Sequence, residues 1–427
     1  MGKIDMQASS RRGPALLPES RAATPQSEPP KAPALAAAID GPRRAEFLPL
    51  SRPSIGDAEV DAVVACLRSG WITSGPRVAE FERLFAETVG AKHAVAVSSA
   101  TAGLHVAFLA AGVGPDDEVI TSPLTWASTG NMILAVGARP VFADVDPATL
   151  NIDPAAVERA LTDRTRAIVP VHFAGQPVDL DPLRAFAARR GVALIEDAAH
   201  ALGTTYRGRP IGAGSTAAVF SFHPIKAITT GEGGMVTTDD ADLAERLRLL
   251  RFHGITRDAW KRYGTHGSPD YEIVALGYKY NMTDMQAALG IAQLARLEEF
   301  VAARTRIAGW YADGLRELPA VTMLGPVPYP ARHSWHLLVV QLRRDALRID
   351  RDEVMGALLA ANIGVGLHFK ALHLHRLYRD DAAGADLPHA TAASHAILSL
   401  PLFPAMVEDD VRDVVDALGD VLRRHAA

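Results

Sequence analysis

A lysine and an aspartate stand where both side chains could act on one ligand. Lys226 follows the apolar run 217–222, and the glycines after it permit tight backbone turns beside a ligand. Asp197 closes the apolar run 192–197, where an unpaired carboxylate would be costly to bury. A surface lysine and a helix-capping carboxylate are the simpler alternatives. Together, however, a Schiff-base amine and a carboxylate for a ring nitrogen meet the needs of pyridoxal phosphate (PLP). We therefore expect PLP chemistry, with Lys226 and Asp197 as catalytic residues.

The elements that must position these residues alternate between apolar runs and helical segments. Most of the apolar runs are continuous, which is typical of strands buried on both faces. The predicted strands are His93–Ser99, Asp117–Ser122, Arg139–Asp144, Ala167–Phe173, Val192–Ala198, Ala217–Phe222 and Met235–Thr238. The predicted helices between them include Thr101–Ala111, Pro154–Leu161, Leu180–Arg190 and Ala241–Phe252. This alternation predicts a mostly parallel α/β sheet, with helices on both faces and ligands at the carboxyl ends of its strands. Ser99, His172, Asp197 and Ser221 fall at predicted strand ends, so we expect one shared site.

The pattern changes near residue 283. Thr283-Asp-Met-Gln286 is a capping-box signature, and it predicts one long helix through about Leu315. We expect a disordered N-terminal extension over 1–45, because this segment is rich in Pro, Ala and Ser and lacks periodicity. A large PLP-binding α/β domain should cover 46–300, and a small C-terminal α+β domain should cover 301–427. In the latter, the sequence predicts a strand Trp335–Leu342 and helices Arg351–Ala361 and Val407–Arg424.

Other polar and aromatic residues fall near the expected site. The segment Ser98–Gly103 opens a helix, whose free N–H groups could hold a phosphate or serve only as an ordinary cap. Trp126 follows a strand and could stack on a planar ring or lie in the core. His200 and His223 flank the loops of Asp197 and Lys226, and each could bond a ligand or be structural.

Composition excludes several classes of protein. The single Cys66 among 427 residues excludes an internal disulfide and fits a reducing compartment, so we expect a cytoplasmic protein. A net charge of −5 with scattered Lys and Arg indicates no nucleic-acid surface. No apolar run reaches about 18 residues, so we expect no membrane span. His368, His373 and His375 do not share a helix face, and we expect no metal site.

Taken together, the motifs resemble the sugar-nucleotide aminotransferases of the DegT/DnrJ/EryC1/StrS family, a branch of the fold type I PLP enzymes. The resemblance covers about residues 47–424. It is carried by Ser69–Pro76, Ser98–Gly103, Asp117–Ile120, Glu196–His200, Phe220–Gly234, Arg251–Gly254, Gly277–Asp284 and Ser399–Pro404. The resemblance implies a seven-stranded, mostly parallel sheet and a homodimer with active sites at the subunit interface.

The resemblance also implies roles for individual residues in holding the cofactor. Lys226 would form the Schiff base, and Asp197 would pair with the pyridine nitrogen. Trp126 would stack on the ring, and Asn281 would reach across from the partner subunit. His200 stands where many members have Gln, and members that act on UDP-4-keto-L-arabinose also carry His there. The phosphate would be held by Ala100, Thr101 and Ser221.

The expected reaction moves an amino group from glutamate, which leaves as 2-oxoglutarate, to a 4-keto nucleotide sugar. Phe47–Pro53, Ser128–Met132 and Gly364–Phe369 are similar to the members that make UDP-4-amino-4-deoxy-L-arabinose. That match would imply lipid A modification and polymyxin resistance. A 4-keto-6-deoxyhexose acceptor, as in perosamine or pseudaminic-acid pathways, and a non-catalytic PLP-fold regulator are the alternatives. The substrate-binding candidates are His223, Arg251, His368 and Phe369.

Overall fold

The structure is a computed structural model, which describes residues 44–256, 271–382 and 384–427. The predicted disordered extension at 1–45 lies outside the described residues except for its last two positions. The domain boundaries after 45 and 300 stay predictions. Among the described residues, no helix combines the length and the apolar character that crossing a membrane requires.

The structure contains the strands predicted from the apolar runs and several shorter ones. In chain order they are β1 His93–Val97, β2 Glu118–Thr121, β3 Arg139–Phe142, β4 Thr165–Val169, β5 Ala193–Asp197, β6 Thr205–Tyr206, β7 Arg209–Pro210, β8 Ala217–Ser221, β9 Gly234–Thr238, β10 Val321–Met323, β11 Ala331–Arg332, β12 Leu338–Leu342 and β13 Ile397–Leu400.

The helices cover the sheets and connect their strands. They are α1 Asp57–Ser69, α2 Pro76–Val89, α3 Ala100–Ala110, α4 Ala127–Ala135, α5 Pro154–Ala160, α6 Leu180–Arg190, α7 Ala241–Leu250, α8 Asp284–Ala295, α9 Leu297–Leu315, α10 Arg351–Ala360, α11 Pro388–Ala396 and α12 Glu408–Arg424.

The central sheet has seven strands in the order β1-β9-β8-β5-β4-β2-β3. The pairs from β8 through β5, β4 and β2 to β3 are parallel, whereas β9 runs antiparallel to both of its neighbours. Strands β2, β8 and β9 are buried along nearly their whole length, as continuous apolar runs require. The fold class is confirmed: an α/β fold of type I with a mostly parallel seven-stranded sheet. All seven predicted strands of this sheet are present.

The predicted long helix is wrong in one respect. The capping box at Thr283 and Gln286 is present, but the segment forms two helices, α8 and α9, that meet at Arg296. The Arg296 guanidinium binds Glu59 of α1 at 3.1 Å and Glu299 at 3.0 Å. A tertiary contact therefore marks the break, and no Pro or Gly stands there.

The C-terminal part has its own antiparallel sheet, β10-β12-β13. Its core consists of buried residues from this sheet and from α9, α10 and α12. The predicted strand near residue 338 and the predicted helices near 351 and 407 are confirmed, each with slightly shorter bounds. This part matters to the site because it supplies histidines and an aromatic ring that face Lys226.

Candidate active site

Asp197 ends β5 at the carboxyl edge of the central sheet, where 5% of its surface is exposed. One carboxylate oxygen accepts a hydrogen bond from the Thr129 hydroxyl at 2.7 Å, and the other accepts one from the Ala199 N–H at 3.2 Å. Thr125 lies 2.9 Å from the Thr129 hydroxyl and extends this network. Burial raises the pKa of Asp197, although these hydrogen bonds and the Lys226 cation oppose the rise. The carboxylate thus has hydrogen-bond donors but no direct cationic partner among the described residues.

Lys226 lies on the loop after β8, where its backbone N–H donates to the His223 carbonyl at 2.9 Å. Burial lowers the pKa of the Lys226 amine to about 8, and the attraction of the Asp197 carboxylate opposes that change. A lysine with such a pKa is partly neutral near pH 8, which a nucleophilic amine requires. The structure therefore brings together the two residues that the sequence singled out.

Three histidines and a phenylalanine lie near Lys226, namely His200, His336, His368 and Phe369. His336 Nε2 lies 3.4 Å from Lys226 Nζ, and the His336 ring packs 4.2 Å from the His200 ring. His200 stacks on Phe369 at 5.9 Å, and His368 bonds Ser399 at 2.9 Å through Nδ1. Burial lowers the pKa of His368 to about 4 and moves the pKa values of His200 and His336 well below the usual range. These rings are neutral at physiological pH.

The predicted phosphate residues converge over one glycine. Gly234 of β9 pairs with Val97 at the end of β1 and with Ser221 at the end of β8. A Cβ at Gly234 would lie 2.7 Å from the Ala100 nitrogen, so the start of α3 packs directly on this glycine. Thr101 is in the first turn of α3. The N-terminus of a helix binds anions through its free N–H groups and its dipole, and Ser221 adds a hydroxyl beside it.

Trp126 is the residue immediately before α4, and 64% of its surface is exposed. Its ring centroid lies 6.1 Å from that of Phe369. The core alternative for Trp126 is wrong, because a core tryptophan would be covered. An exposed indole next to the Asp197 and Lys226 loops is available to stack on a planar ligand.

Asn281 forms a bridge with Val97 of its own chain. Its amide donates to the Ser74 hydroxyl at 2.6 Å and accepts from Lys279 at 2.6 Å. Its predicted reach into a partner's site stays a prediction. His223 is exposed, and its ring lies 3.5 Å from the Ile225 N–H, which places no constraint on a ligand role.

Arg251 does not join the group around Lys226. Its guanidinium forms an ion pair with Glu82 and donates to the Ala96 carbonyl at 2.7 Å. Both contacts tie the end of α7 to β1 and α2, and the side chain is largely buried. The structure gives Arg251 a packing role through these contacts, and its substrate role stays a prediction.

His172 and Glu196 form a separate buried pair. His172 Nε2 lies 2.8 Å from Glu196, and its Nδ1 accepts from the Val178 N–H at 3.1 Å. Both ring nitrogens are therefore used, and Ser215 also donates to Glu196. The His172 ring is used by this pair, whereas its backbone N–H donates to the Asp197 carbonyl at 3.2 Å, and its expected place in the shared ligand site stays a prediction.

PLP fits the residues that are present. Asp197 has a raised pKa and a buried carboxylate that a protonated ring nitrogen would neutralise. The start of α3, which could hold a phosphate, packs so closely on Gly234 that a Cβ there would collide with the backbone of Ser99 and Ala100. Lys226 is close enough to Asp197 for the two charges to affect each other's pKa. By contrast, no group of at least three His, Cys, Asp or Glu side chains among the described residues could hold a metal.

Two residues of the site were missed by the sequence reasoning. Thr129 orients Asp197 across 68 positions of sequence, and its only signal was its place after a strand beside Trp126. His336 lies 110 positions from Lys226, and no motif spacing connects the two.

In the described residues a small cleft lies beside Lys226. It is lined by Leu50, Ser51, Ile225, His336, Leu337, His368, Leu400 and Leu402.

Comparisons with known proteins give matches over most of the chain. Residues 53–419 match the DegT/DnrJ/EryC1/StrS aminotransferase family. The chain is 48% identical over 385 residues to the spore coat polysaccharide biosynthesis protein SpsC of Bacillus subtilis, covering 89% of this chain and 98% of SpsC. Spr1654 of Streptococcus pneumoniae in its PMP form has a TM-score of 0.82 and 32% identity, covering 88% of this chain and 99% of that one. DesI, solved in the presence of its TDP-sugar product, has a TM-score of 0.79 and 36% identity, covering 90% and 95%.

Proposed function

The chain belongs to the DegT/DnrJ/EryC1/StrS aminotransferase family, and from this premise we propose that it transfers an amino group from glutamate to the 4-keto carbon of a nucleotide-linked sugar. It is a PLP-dependent enzyme that acts on nucleotide-linked sugars, as members of this family do. The observation that carries the proposal is the buried Asp197 carboxylate beside an amine whose pKa is about 8.

The residues divide the work as follows. Bound PLP supplies an electron sink for the carbanion that forms when a substrate loses its proton. Asp197 would keep the ring nitrogen protonated, and Thr129 holds the Asp197 carboxylate in place. Lys226 would hold the cofactor through its aldehyde carbon and, once its amine is free, would move a proton at the reacting carbon of the substrate. Trp126 would offer its indole for stacking on the ring.

For the acceptor, we propose UDP-4-keto-L-arabinose first. The support is the His at position 200, together with the similarity of Phe47–Pro53 and Gly364–Phe369 to enzymes that make UDP-4-amino-4-deoxy-L-arabinose. In the structure, His368 and Phe369 from the latter segment face His200. This acceptor would connect the enzyme with lipid A modification and polymyxin resistance.

The second candidate is a 4-keto-6-deoxyhexose linked to a nucleotide. SpsC is named for spore coat polysaccharide biosynthesis, and DesI was solved with a TDP-sugar product. These relatives favour a polysaccharide or deoxysugar pathway over lipid A. The two candidates differ by a C6 methyl group, which a small pocket discriminates by about 10- to 200-fold in kcat/KM.

The test is the visible absorbance of the full-length protein with PLP. Adding glutamate should remove the band of the lysine-bound cofactor, and the correct keto-sugar should restore it. A panel of UDP-4-keto-pentose and UDP- or TDP-linked 4-keto-6-deoxyhexoses then ranks acceptors by rate of recovery. A band that glutamate leaves unchanged, with alanine and aspartate equally inert, would contradict the aminotransferase function.

We also propose that the enzyme is a homodimer with Asn281 completing the partner's site. Hybrid dimers of Lys226→Ala and Asn281→Ala chains provide the test. If Asn281 acts across the interface, the hybrid contains one site with both native residues, and activity exceeds that of either variant alone. If Asn281 serves its own chain, no hybrid site is complete and activity does not recover. Sedimentation velocity checks the dimer itself.

A further inference from the structure

The strongest unassigned feature of the site is His336, which lies just before β12 in the C-terminal part of the chain. Its Nε2 is 3.4 Å from Lys226 Nζ, and 3% of its surface is exposed. No described residue other than His336 forms a hydrogen bond with the Lys226 amine. The contact therefore concerns the atom that reacts, rather than the packing around it.

The backbone holds His336 in place by an unusual arrangement. Trp335, the residue before it, has a φ of 54°, a left-handed conformation that is strained for a bulky residue. The buried guanidinium of Arg304 donates to the carbonyls of Trp335 and His336 at 3.2 Å each, and to Leu402 at 3.0 Å. The Trp335 ring stacks on His333 at 4.0 Å. A strained turn fixed by a buried cation is costly, and such strain is concentrated at functional positions.

The charges around His336 decide which role it can have. Lys226, His200, Arg304 and His368 face it, and each is positive or becomes positive on protonation. Burial, together with the charge of Lys226, keeps the pKa of His336 well below the usual range, whereas the pKa of Lys226 is about 8. A proton shared between the two therefore resides on Lys226. His336 is an acceptor for the lysine and not a base in competition with it.

The other ring nitrogen is consistent with this assignment. His336 Nδ1 is buried and has no hydrogen-bond partner among the described residues, as is also true of the Ser51 hydroxyl. Both residues line the small cleft beside Lys226. If Nε2 accepts from Lys226, Nδ1 carries the ring proton, and the buried Nδ1 is then free of any competing bond among the described residues.

On these contacts, and resting on the proposed function, we propose that His336 is a positioning residue that accepts a hydrogen bond from the Lys226 amine whenever that amine is not bonded to the cofactor. The bond holds Nζ in place during the interval after it leaves the cofactor and while it moves the substrate's proton. It also stabilises the protonated amine, so that its loss makes Lys226 a weaker base.

The test measures how fast the full-length chain forms the visible band with added PLP as a function of pH, because only the neutral amine reacts. In the unsubstituted protein the midpoint should lie near the Lys226 pKa of about 8. His336→Asn and His336→Gln form a matched pair, since the Gln amide reaches the position of Nε2 and the Asn amide only that of Nδ1. We expect His336→Asn to lower the midpoint by roughly 0.5 to 1 pH unit and His336→Gln to leave it within about 0.3 unit.

A second readout follows the glutamate half-reaction, which should slow about tenfold in His336→Asn and recover in His336→Gln. His336→Phe is a second variant without an acceptor, and its ring keeps the packing on His200. It replaces His336→Asn if the Asn protein folds poorly, and it should show the same shift and the same slowing. Equal midpoints in the unsubstituted, Asn and Phe proteins would overturn the proposal. Equal shifts in Asn and Gln would overturn it as well. A missing band in the unsubstituted protein would contradict the proposed function instead.

Discussion

The central sheet has one buried carboxylate where a strand begins, at its amino edge, and another where a strand ends, at its carboxyl edge, and the two have opposite surroundings. At the amino edge, Glu118 of β2 accepts from Arg139 at 2.6 Å, from Arg164 at 2.8 Å and from Thr162 at 2.6 Å. Burial alone would raise the pKa of Glu118, but these bonds lower it to about 2. At the carboxyl edge, Asp197 has no arginine, and its pKa is raised.

These different surroundings predict different roles, with Glu118 contributing to stability and Asp197 to function. Glu118 is neutralised within the chain, so its edge of the sheet is complete without a ligand. Asp197 is left short of positive charge, and the nearest cation, Lys226, is itself destabilised by burial. A protonated ring nitrogen would complete the Asp197 edge as the arginines complete the Glu118 edge. Five variants test this contrast, in order of decreasing effect.

Lys226→Ala should abolish turnover while the fold persists. Burial disfavours the charged Lys226 amine, as its lowered pKa shows, so its removal should not destabilise the PLP-free protein. Turnover is measured by 2-oxoglutarate formation, and stability by urea unfolding. Arg139→Ala at the other edge is the control, and it should retain turnover. Near-normal activity in Lys226→Ala would remove this residue from the chemistry.

Asp197→Asn and Glu118→Gln should change stability in opposite directions. Asp197 has a raised folded-state pKa, so its ionised form costs stability at neutral pH, and Asn should stabilise the PLP-free protein. The Thr129 hydroxyl can reverse its bond to suit the amide. Turnover should nevertheless fall about a hundredfold or more.

Glu118→Gln should lower stability by about 2 kcal/mol at pH 7 and leave turnover unchanged. The folded-state pKa of Glu118 is depressed to about 2 from an ordinary 4.5, so its contribution is present above pH 4.5 and is lost as pH falls toward 2. Urea unfolding at pH 7 and pH 3 measures this, and the difference between variant and parent should shrink at pH 3. Loss of stability in both variants would contradict the contrast between the edges.

Thr129→Val should reduce turnover about tenfold, because Asp197 loses the 2.7 Å hydrogen bond that orients it. Thr121→Val is the matched control, since the buried Thr121 hydroxyl donates to the Val169 carbonyl at 2.8 Å and not to a residue assigned to the site. Each variant should lose about 1 kcal/mol of stability, but only Thr129→Val should lose activity. Steady-state kinetics and thermal unfolding separate the two effects. Equal activity in both variants would show that Thr129 only packs.

Trp126→Ala should have the smallest effect. The exposed ring contributes little to folding, so the free energy of unfolding should change by no more than about 0.5 kcal/mol. Loss of stacking should weaken PLP retention about threefold to tenfold, measured by equilibrium dialysis. Trp126→Phe should retain most of the affinity. Unchanged retention in Trp126→Ala would place the ring elsewhere.

The sequence predicts the sheet well because its strands are continuous apolar runs between helices. Lys226 and Asp197 were found for the same reason, since each follows or ends such a run. Thr129 and His336 were missed because their contacts are tertiary, and a hydroxyl after a strand or a histidine before one carries no distinctive pattern. The ion pair of Arg251 could not be predicted either, because its partner Glu82 lies 169 positions away. The helix break at Arg296 likewise depends on Glu59 from another element.

The most direct test of the central claim is to identify the lysine that binds the cofactor. The full-length protein is incubated with PLP, reduced with borohydride, digested, and mapped by mass spectrometry. The account predicts a phosphopyridoxyl group on the peptide that contains Lys226, and its loss in Lys226→Ala. A stoichiometric label on another lysine, such as Lys279, or no label at all, would contradict the assignment of the carboxyl edge as the active site.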